Sequence, residues 1–142
     1  MINVKQLLQE KGSDVWSIAP DGTVLDAISM MAQKGVGALI VVEGGNVVGI
    51  VSERDCARKV LLTQQSAQDT SVRDIMTNRV LYVLPNETAE ECLALMTDKH
   101  VRHLPVIDGG QLVGVVSIGD LVKAVISHQQ FMIEQLTNYI GS

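Results

Sequence analysis

Two seven-residue stretches carry the residue types best suited to hold a polar ligand. They are Gly49-Ile-Val-Ser-Glu-Arg-Asp55 and Gly114-Val-Val-Ser-Ile-Gly-Asp120, each reading Gly-φ-φ-Ser-x-x-Asp with φ apolar. An apolar run ending in Ser marks a strand handing over to a helix start. Such a junction leaves backbone N–H groups unpaired at a positive dipole end, which suits a phosphate or ribose oxygens. The serine hydroxyl can donate to a phosphate. The carboxylate three residues on can accept both hydroxyls of a ribose. Ser-x-x-Asp is also a capping-box variant, so a purely structural role fits the same residues.

The motif lies inside a longer duplication. Val15–Val60 aligns on Val80–Val125 without a gap at an offset of 65 (85 − 20 for the two prolines), with 16 identities in 46 pairs. Thr23/Thr88, Met31/Met96, Gly44/Gly109, Gly45/Gly110, Ser52/Ser117 and Asp55/Asp120 stay in register. Upstream, Val4-Lys-Gln-Leu-Leu8 resembles Val72-Arg-Asp-Ile-Met76, but the first copy carries three extra residues before its first strand. Residues 61–71 end in a polar stretch and read as a linker, which divides the chain into a first repeat, 1–66, and a second, 67–142.

Each repeat parses alike. Val15–Ile18 and Val80–Val83 are predicted strands ended by proline turns. Thr23 and Thr88 stand at helix N-caps, with Asp26 and Glu91 at the capping-box position. Apolar residues at helical spacing follow, with Cys92 facing the core. Ala38–Val42 and Leu104–Ile107 are short buried strands, returned by Gly-Gly hairpins into Val47–Val51 and Leu112–Val116. The motif serine then opens another helix. The last helix is predicted to run on past the repeat, where Val122, Val125, Ile126, Met132, Ile133, Leu136 and Ile140 form a broken apolar stripe that either packs on its own module or helps form a dimer. The fold class is α/β (α+β), two βαββα-type units. One unit of ~55 residues is marginal alone, so the two are expected to pack sheet to sheet with pseudo-two-fold symmetry.

Bulk composition narrows the function. The net charge of −5 argues against a broad nucleic-acid footprint but permits a small anion held by a few local cations. No apolar run approaches the ~18–20 residues needed to cross a bilayer, and the N-terminus lacks a signal-peptide core. The chain reads as soluble and cytoplasmic. Cys56 and Cys92 lack CxxC spacing and read as reduced thiols. His100-x-x-His103 has no further metal ligands in register, and no nucleophile–base–orienter set is visible, so the chain reads as neither metalloprotein nor enzyme.

With the double-glycine hairpin, His103-Leu-Pro-Val-Ile-Asp108 and Asp74-Ile-Met-Thr77, the two motifs resemble the cystathionine-β-synthase (CBS) domain, over nearly the whole chain. The resemblance implies a tandem pair, usually dimeric, that holds AMP, ADP, ATP, NAD or S-adenosylmethionine in clefts between the repeats and regulates a partner. It implies ribose-binding roles for Asp55 and Asp120, phosphate or ribose contacts for Ser52 and Ser117, and adenine-flanking positions for Ile50 and Val115. Thr77 and Val80 are expected to line the cleft headed by Asp55, and Val15 and Trp16 the one headed by Asp120. Gln9 stands where the motif threonine would be in the first repeat, a departure from the pattern.

The two clefts differ in charge. Arg102-His103 of the second repeat aligns with Gly37-Ala38 of the first, and Arg54 aligns with Gly119. Arg54, Arg102 and His103 are expected to converge with Ser52 at the Asp55 cleft, where guanidinium groups suit phosphate oxygens. Gly37 and Gly119 leave room for a bulkier ligand in the other. The rival reading is an interaction module that acts through a homodimer surface with vestigial clefts. In either case the regulated protein is expected to be a separate chain.

Overall fold

The computed structural model describes residues 1–141. The element order is α1 (Val4–Lys11), β1 (Ser17–Ile18), α2 (Val24–Lys34), β2 (Ala38–Glu43), β3 (Asn46–Ser52) and α3 (Glu53–Cys56), which continues as a π-helix over Ala57–Leu61. Then come α4 (Val72–Ile75), α5 (Ala89–Lys99), β4 (His103–Asp108), β5 (Gln111–Ser117) and α6 (Ile118–Ile140).

The compact units do not coincide with the sequence repeats. One comprises 1–14 with 81–142, the other 15–80. Each repeat's opening helix is thus built into the unit that holds the other repeat's strands. In the first unit, Val4 and Leu7 of α1 are buried with Val83, Cys92, Met96, Leu104, Val116 and Leu121. In the second, Val72 and Ile75 of α4 are buried with Val24, Met31, Leu39, Val51, Cys56 and Val60. Main-chain bonds fix the exchange. Val4 N–H donates to Glu87 C=O and Ala89 N–H to Ile2 C=O, while Val72 N–H donates to Gly22 C=O and Val24 N–H to Thr70 C=O.

Local chemistry explains the elements. Thr23 and Thr88 accept from the backbone N–H of Asp26 and Glu91, whose side chains return the bond, so Asp serves the capping box as well as Glu does. Gly44, Gly45, Gly109 and Gly110 all have positive φ, as a two-residue type I′ hairpin requires. α5 ends on His100 in the left-handed region, where α2 ends on Gly35.

One expected strand is reduced to a point. β1 pairs with β2 in parallel through Ile40 N–H to Trp16 C=O. The aligned segment Val80–Val83 keeps only a bridge from Val83 to Val106. Pro105 stands where Ile40 does and has no N–H to donate, so the ladder cannot extend toward Leu81.

α6 runs for 23 residues, and its second half does not pack on its own unit: Phe131, Met132, Ile133, Leu136, Tyr139 and Ile140 are all exposed. Ile126, Ile133 and Ile140 recur every seven residues, with Val122 four residues before the first and Leu136 between the last two, a spacing that fits a helix-pairing seam.

The exchanged α1 makes a direct prediction. Leu7→Ala should cost about 2–5 kcal/mol, the usual range for emptying a buried leucine site. By amide hydrogen exchange, the lost protection should fall on Leu104, Val106 and Val116 and not on Leu39, Val41 and Val51.

Candidate functional site

Both Gly-φ-φ-Ser-x-x-Asp motifs fold as a strand running into a helix, and both close a capping box. Ser52 N–H donates to Asp55 Oδ2 at 3.0 Å, and Asp55 N–H donates back to Ser52 Oγ at 3.1 Å. The hydroxyl of Ser52 also donates to Asp55 Oδ2 at 3.1 Å. Ser117 N–H donates to Asp120 Oδ2 at 2.9 Å, and Asp120 N–H to Ser117 Oγ at 3.1 Å. All four side chains remain partly accessible. Capping and ligand binding are therefore not alternatives here: the cap holds the carboxylate at the helix start with further lone pairs to offer.

The opening glycine of each motif is a packing requirement. A Cβ on Gly49 would lie 2.6 Å from Met76 Sδ and 3.0 Å from Thr77 C=O, and one on Gly114 would lie 2.8 Å from a Leu8 methyl. The missing side chain lets the segment from the other repeat lie against the strand.

What that segment does next differs between the units. In the second unit the helix stops at Ile75, and Thr77 pairs with Ile50, each N–H donating to the other's C=O at 2.9 and 3.0 Å. Thr77 thus joins Ile50, Ser52 and Asp55 at one junction, and Val80 belongs to the same unit. In the first unit α1 stays helical through Lys11. Gln9, aligned with Thr77, instead lines a cavity of about 740 Å³ with Asn3, Lys5, Ser13, Asn86 and Asp108. That cavity borders the hairpin-tip end of β4–β5, whereas Ser117 lies at the other end.

The sequence reading missed a lysine at each carboxylate. Lys11 Nζ lies 2.9 Å from Asp120 Oδ2 and donates to Val115 C=O at 2.8 Å. Lys59 Nζ lies 3.3 Å from Asp55 Oδ1 and donates to Ile75 C=O at 2.9 Å. The repeat alignment could not reveal this equivalence, because Lys59 aligns with Ala124 and the second lysine comes from α1. Partial burial pushes the Asp120 carboxyl up from its ordinary 3.8, but the Ser117 backbone N–H, the Lys11 ammonium and the Ser117 hydroxyl together outweigh it and hold it lower.

Arg54 is exposed on α3. Within their own unit, Arg102 and His103 border the other motif: Ile118 N–H donates to Arg102 C=O, and His103 pairs in register with Ser117. Gly37 and Ala38 stand in the same relation to Glu53 and Ser52. Arg102 and His103 thus fall in a different unit from Arg54 and Asp55, as Val15 and Trp16 do from Asp120. The Trp16 ring carries Lys34 Nζ 4.3 Å from its centroid. Gly119 is exposed in the first turn of α6.

Cys56, next to Asp55, is buried and its thiol is pushed up to about 11 by burial and then by Asp55 and Glu53. Cys92 is likewise pushed up to about 12, chiefly by burial. Burial thus disfavours the thiolate form of both. Among the described residues no three of His, Cys, Asp and Glu converge on a metal position, and no helix is long and apolar enough to cross a membrane.

These junctions, duplicated in one chain, define a tandem-repeat class of fold. The CBS-domain family profile matches residues 4–62 and 72–127. The chain belongs to the CBS-domain family and contains two copies of its repeat. It is similar to the solved structure of a protein with CBS domains from Burkholderia ambifaria, at 51% identity and a TM-score of 0.87, covering 89% of this chain and 96% of that one. It is 41% identical over 134 residues to the mitochondrial CBS domain-containing protein CBSX3 of Arabidopsis thaliana, covering 91% of this chain and 65% of that protein's length. A more distant likeness in fold, at 21% identity and a TM-score of 0.79 over 90% of this chain and 98% of the other, is to a CBS domain pair crystallised with 5′-methylthioadenosine and S-adenosyl-L-methionine.

The Asp120 geometry fixes a pH dependence. A carboxyl held below its ordinary 3.8 in the folded state stabilises the fold above that pH, and the contribution is lost as pH falls through the lower folded value. Asp120→Asn should be less stable than wild type at pH 7, by about 1 kcal/mol for a lost charge-assisted hydrogen bond. The gap should narrow below pH 3.8 in urea melts. At pH 8, iodoacetamide should label Cys56 and Cys92 far more slowly in native than in unfolded protein, as read by mass spectrometry.

Proposed function

We propose that this protein is a regulatory module that holds an adenosyl ligand at the Ser52–Asp55 junction and acts on a separate partner protein. The observation that carries this reading is the convergence of four groups in one unit. Asp55 offers a capped carboxylate to a ribose diol, Ser52 a hydroxyl, and the paired Ile50 and Thr77 an apolar and main-chain edge for the adenine. Arg54, exposed one residue before Asp55, is the cation assigned to phosphate. The compounds in the distant CBS pair, S-adenosylmethionine and methylthioadenosine, belong to the same chemical class. A bound ligand changes a partner's behaviour only through different affinities for two arrangements of the module, so regulation requires such a pair of states.

One observation favours the rival reading of an interaction module. Both carboxylates already have intramolecular partners, the cap and a lysine. The Lys59 pair is the longer of the two, at 3.3 Å against 2.9 Å, and the lysine side chain is about half exposed, which weakens its hold on Asp55. A diol can therefore displace it.

Calorimetry with AMP, ATP, NAD and S-adenosylmethionine separates the two readings. Saturable binding of at least one, weakened about 10–100-fold by Asp55→Ala, is expected from the loss of ~1.5–3 kcal/mol of charged hydrogen bonding. No heat from any of the four would leave the interaction module.

We also assign the exposed seam of α6 to self-association as a homodimer. Glutamates placed on the seam by Ile133→Glu and Leu136→Glu should convert a dimer to a monomer in sedimentation analysis without lowering the helix content. A wild-type monomer at micromolar concentration would contradict the assignment.

A further inference from the structure

The geometry points to Lys11 as a built-in occupant of the Ser117–Asp120 junction, closing it to ribose so that each chain takes its adenosyl ligand at Ser52–Asp55 alone. This inference rests on the proposed nucleotide-binding role and adds stoichiometry to it.

The argument lies in what each lysine touches. Lys11 Nζ bonds Asp120 Oδ2 at 2.9 Å and Val115 C=O at 2.8 Å. Val115 is the second residue of the motif and Asp120 the last, so one ammonium spans the two ends of the recognition element. It also lies on the oxygen that accepts from Ser117 N–H. Lys59, by contrast, reaches the oxygen of Asp55 that Ser52 does not use, at 3.3 Å, and its other bond goes to Ile75. Ile50 C=O needs no lysine, because Thr77 N–H satisfies it.

The two lysines also differ in how they are held. Lys59 is on the same helical run as Asp55, four residues on, with a side chain 47% accessible. Lys11 arrives from a helix anchored by buried Val4 and Leu7 and is 33% accessible. Oδ1 of Asp120 carries neither the cap nor the lysine, but a diol that bonds both oxygens of Asp120 would have to displace an ammonium that makes two short bonds, and charge-assisted bonds of that length outcompete hydroxyl donors. The same cation helps hold the Asp120 carboxyl ionised.

Removing the ammonium should therefore open a second site. The test is calorimetry of the full chain with S-adenosylmethionine and AMP, on wild type, Lys11→Ala, Lys11→Gln and the Lys11→Ala, Asp120→Ala double variant. Thermal unfolding identifies which Lys11 variants remain folded, and Lys11→Gln keeps the helix end if Lys11→Ala frays it. The expected result is one ligand per chain in wild type, two after loss of Lys11, and one again in the double variant. Two ligands per chain in wild type, or an unchanged stoichiometry in a folded Lys11 variant, would overturn the inference. Binding only after loss of Lys11, absent again in the double variant, would uphold Lys11 as the occupant of the Ser117–Asp120 junction while refuting binding at Ser52–Asp55. No binding to any form would refute both.

Discussion

The main-chain carbonyl one residue past the buried glycine of each motif must find a donor, and the two units solve this differently. At Ile50 the donor is the N–H of Thr77, available because α4 stops after one turn and the chain becomes extended. At Val115 it is the ammonium of Lys11, available because α1 continues for 8 residues. The asymmetry of the two junctions follows from this choice. One becomes an edge of main chain beside a capped carboxylate. The other becomes a capped carboxylate whose paired lysine also holds the main-chain carbonyl. Both arrangements need a glycine without a Cβ at position 49 or 114, since a methyl there meets the incoming segment at under 3 Å.

This constraint also joins fold to function. The segment that satisfies the carbonyl belongs, in sequence, to the other repeat, so neither unit is complete without the exchange. The buried apolar residues of α1 and α4 secure it, each worth about 1.5–3 kcal/mol when fully buried. Covalent continuity and core packing therefore fix the residues of the proposed site in place, with the capping boxes setting the final angle of each carboxylate.

The features readable from sequence were those with a local cause. The Gly-Gly hairpins, the four capping boxes of α2, α3, α5 and α6, and the strand pairs between them depend on residues a few positions apart. The exchange of α1 and α4 was not readable, because either helix carries the apolar spacing that fits either core. Nor were the lysines: one ion pair crosses nearly the whole chain, and the other has alanine at its aligned position. The strand expected at Val80–Val83 is reduced to a bridge because Pro105 on the neighbouring strand has no N–H to donate. Of the proposed site residues, Ile50, Ser52, Arg54, Asp55, Thr77 and Val80 fall in one unit, and Arg102 and His103 fall beside Ser117 in the other.

The central claim is that an adenosyl ligand is held where Thr77 pairs with Ile50 beside the Ser52–Asp55 cap. A titration of the ¹⁵N-labelled protein with S-adenosylmethionine, followed by amide chemical shifts, addresses it most directly. The account predicts saturating shifts concentrated at Ile50–Asp55 and Thr77. Shifts confined to the cavity around Gln9, Asn86 and Asp108, with Ile50–Asp55 unmoved at saturation, would contradict it.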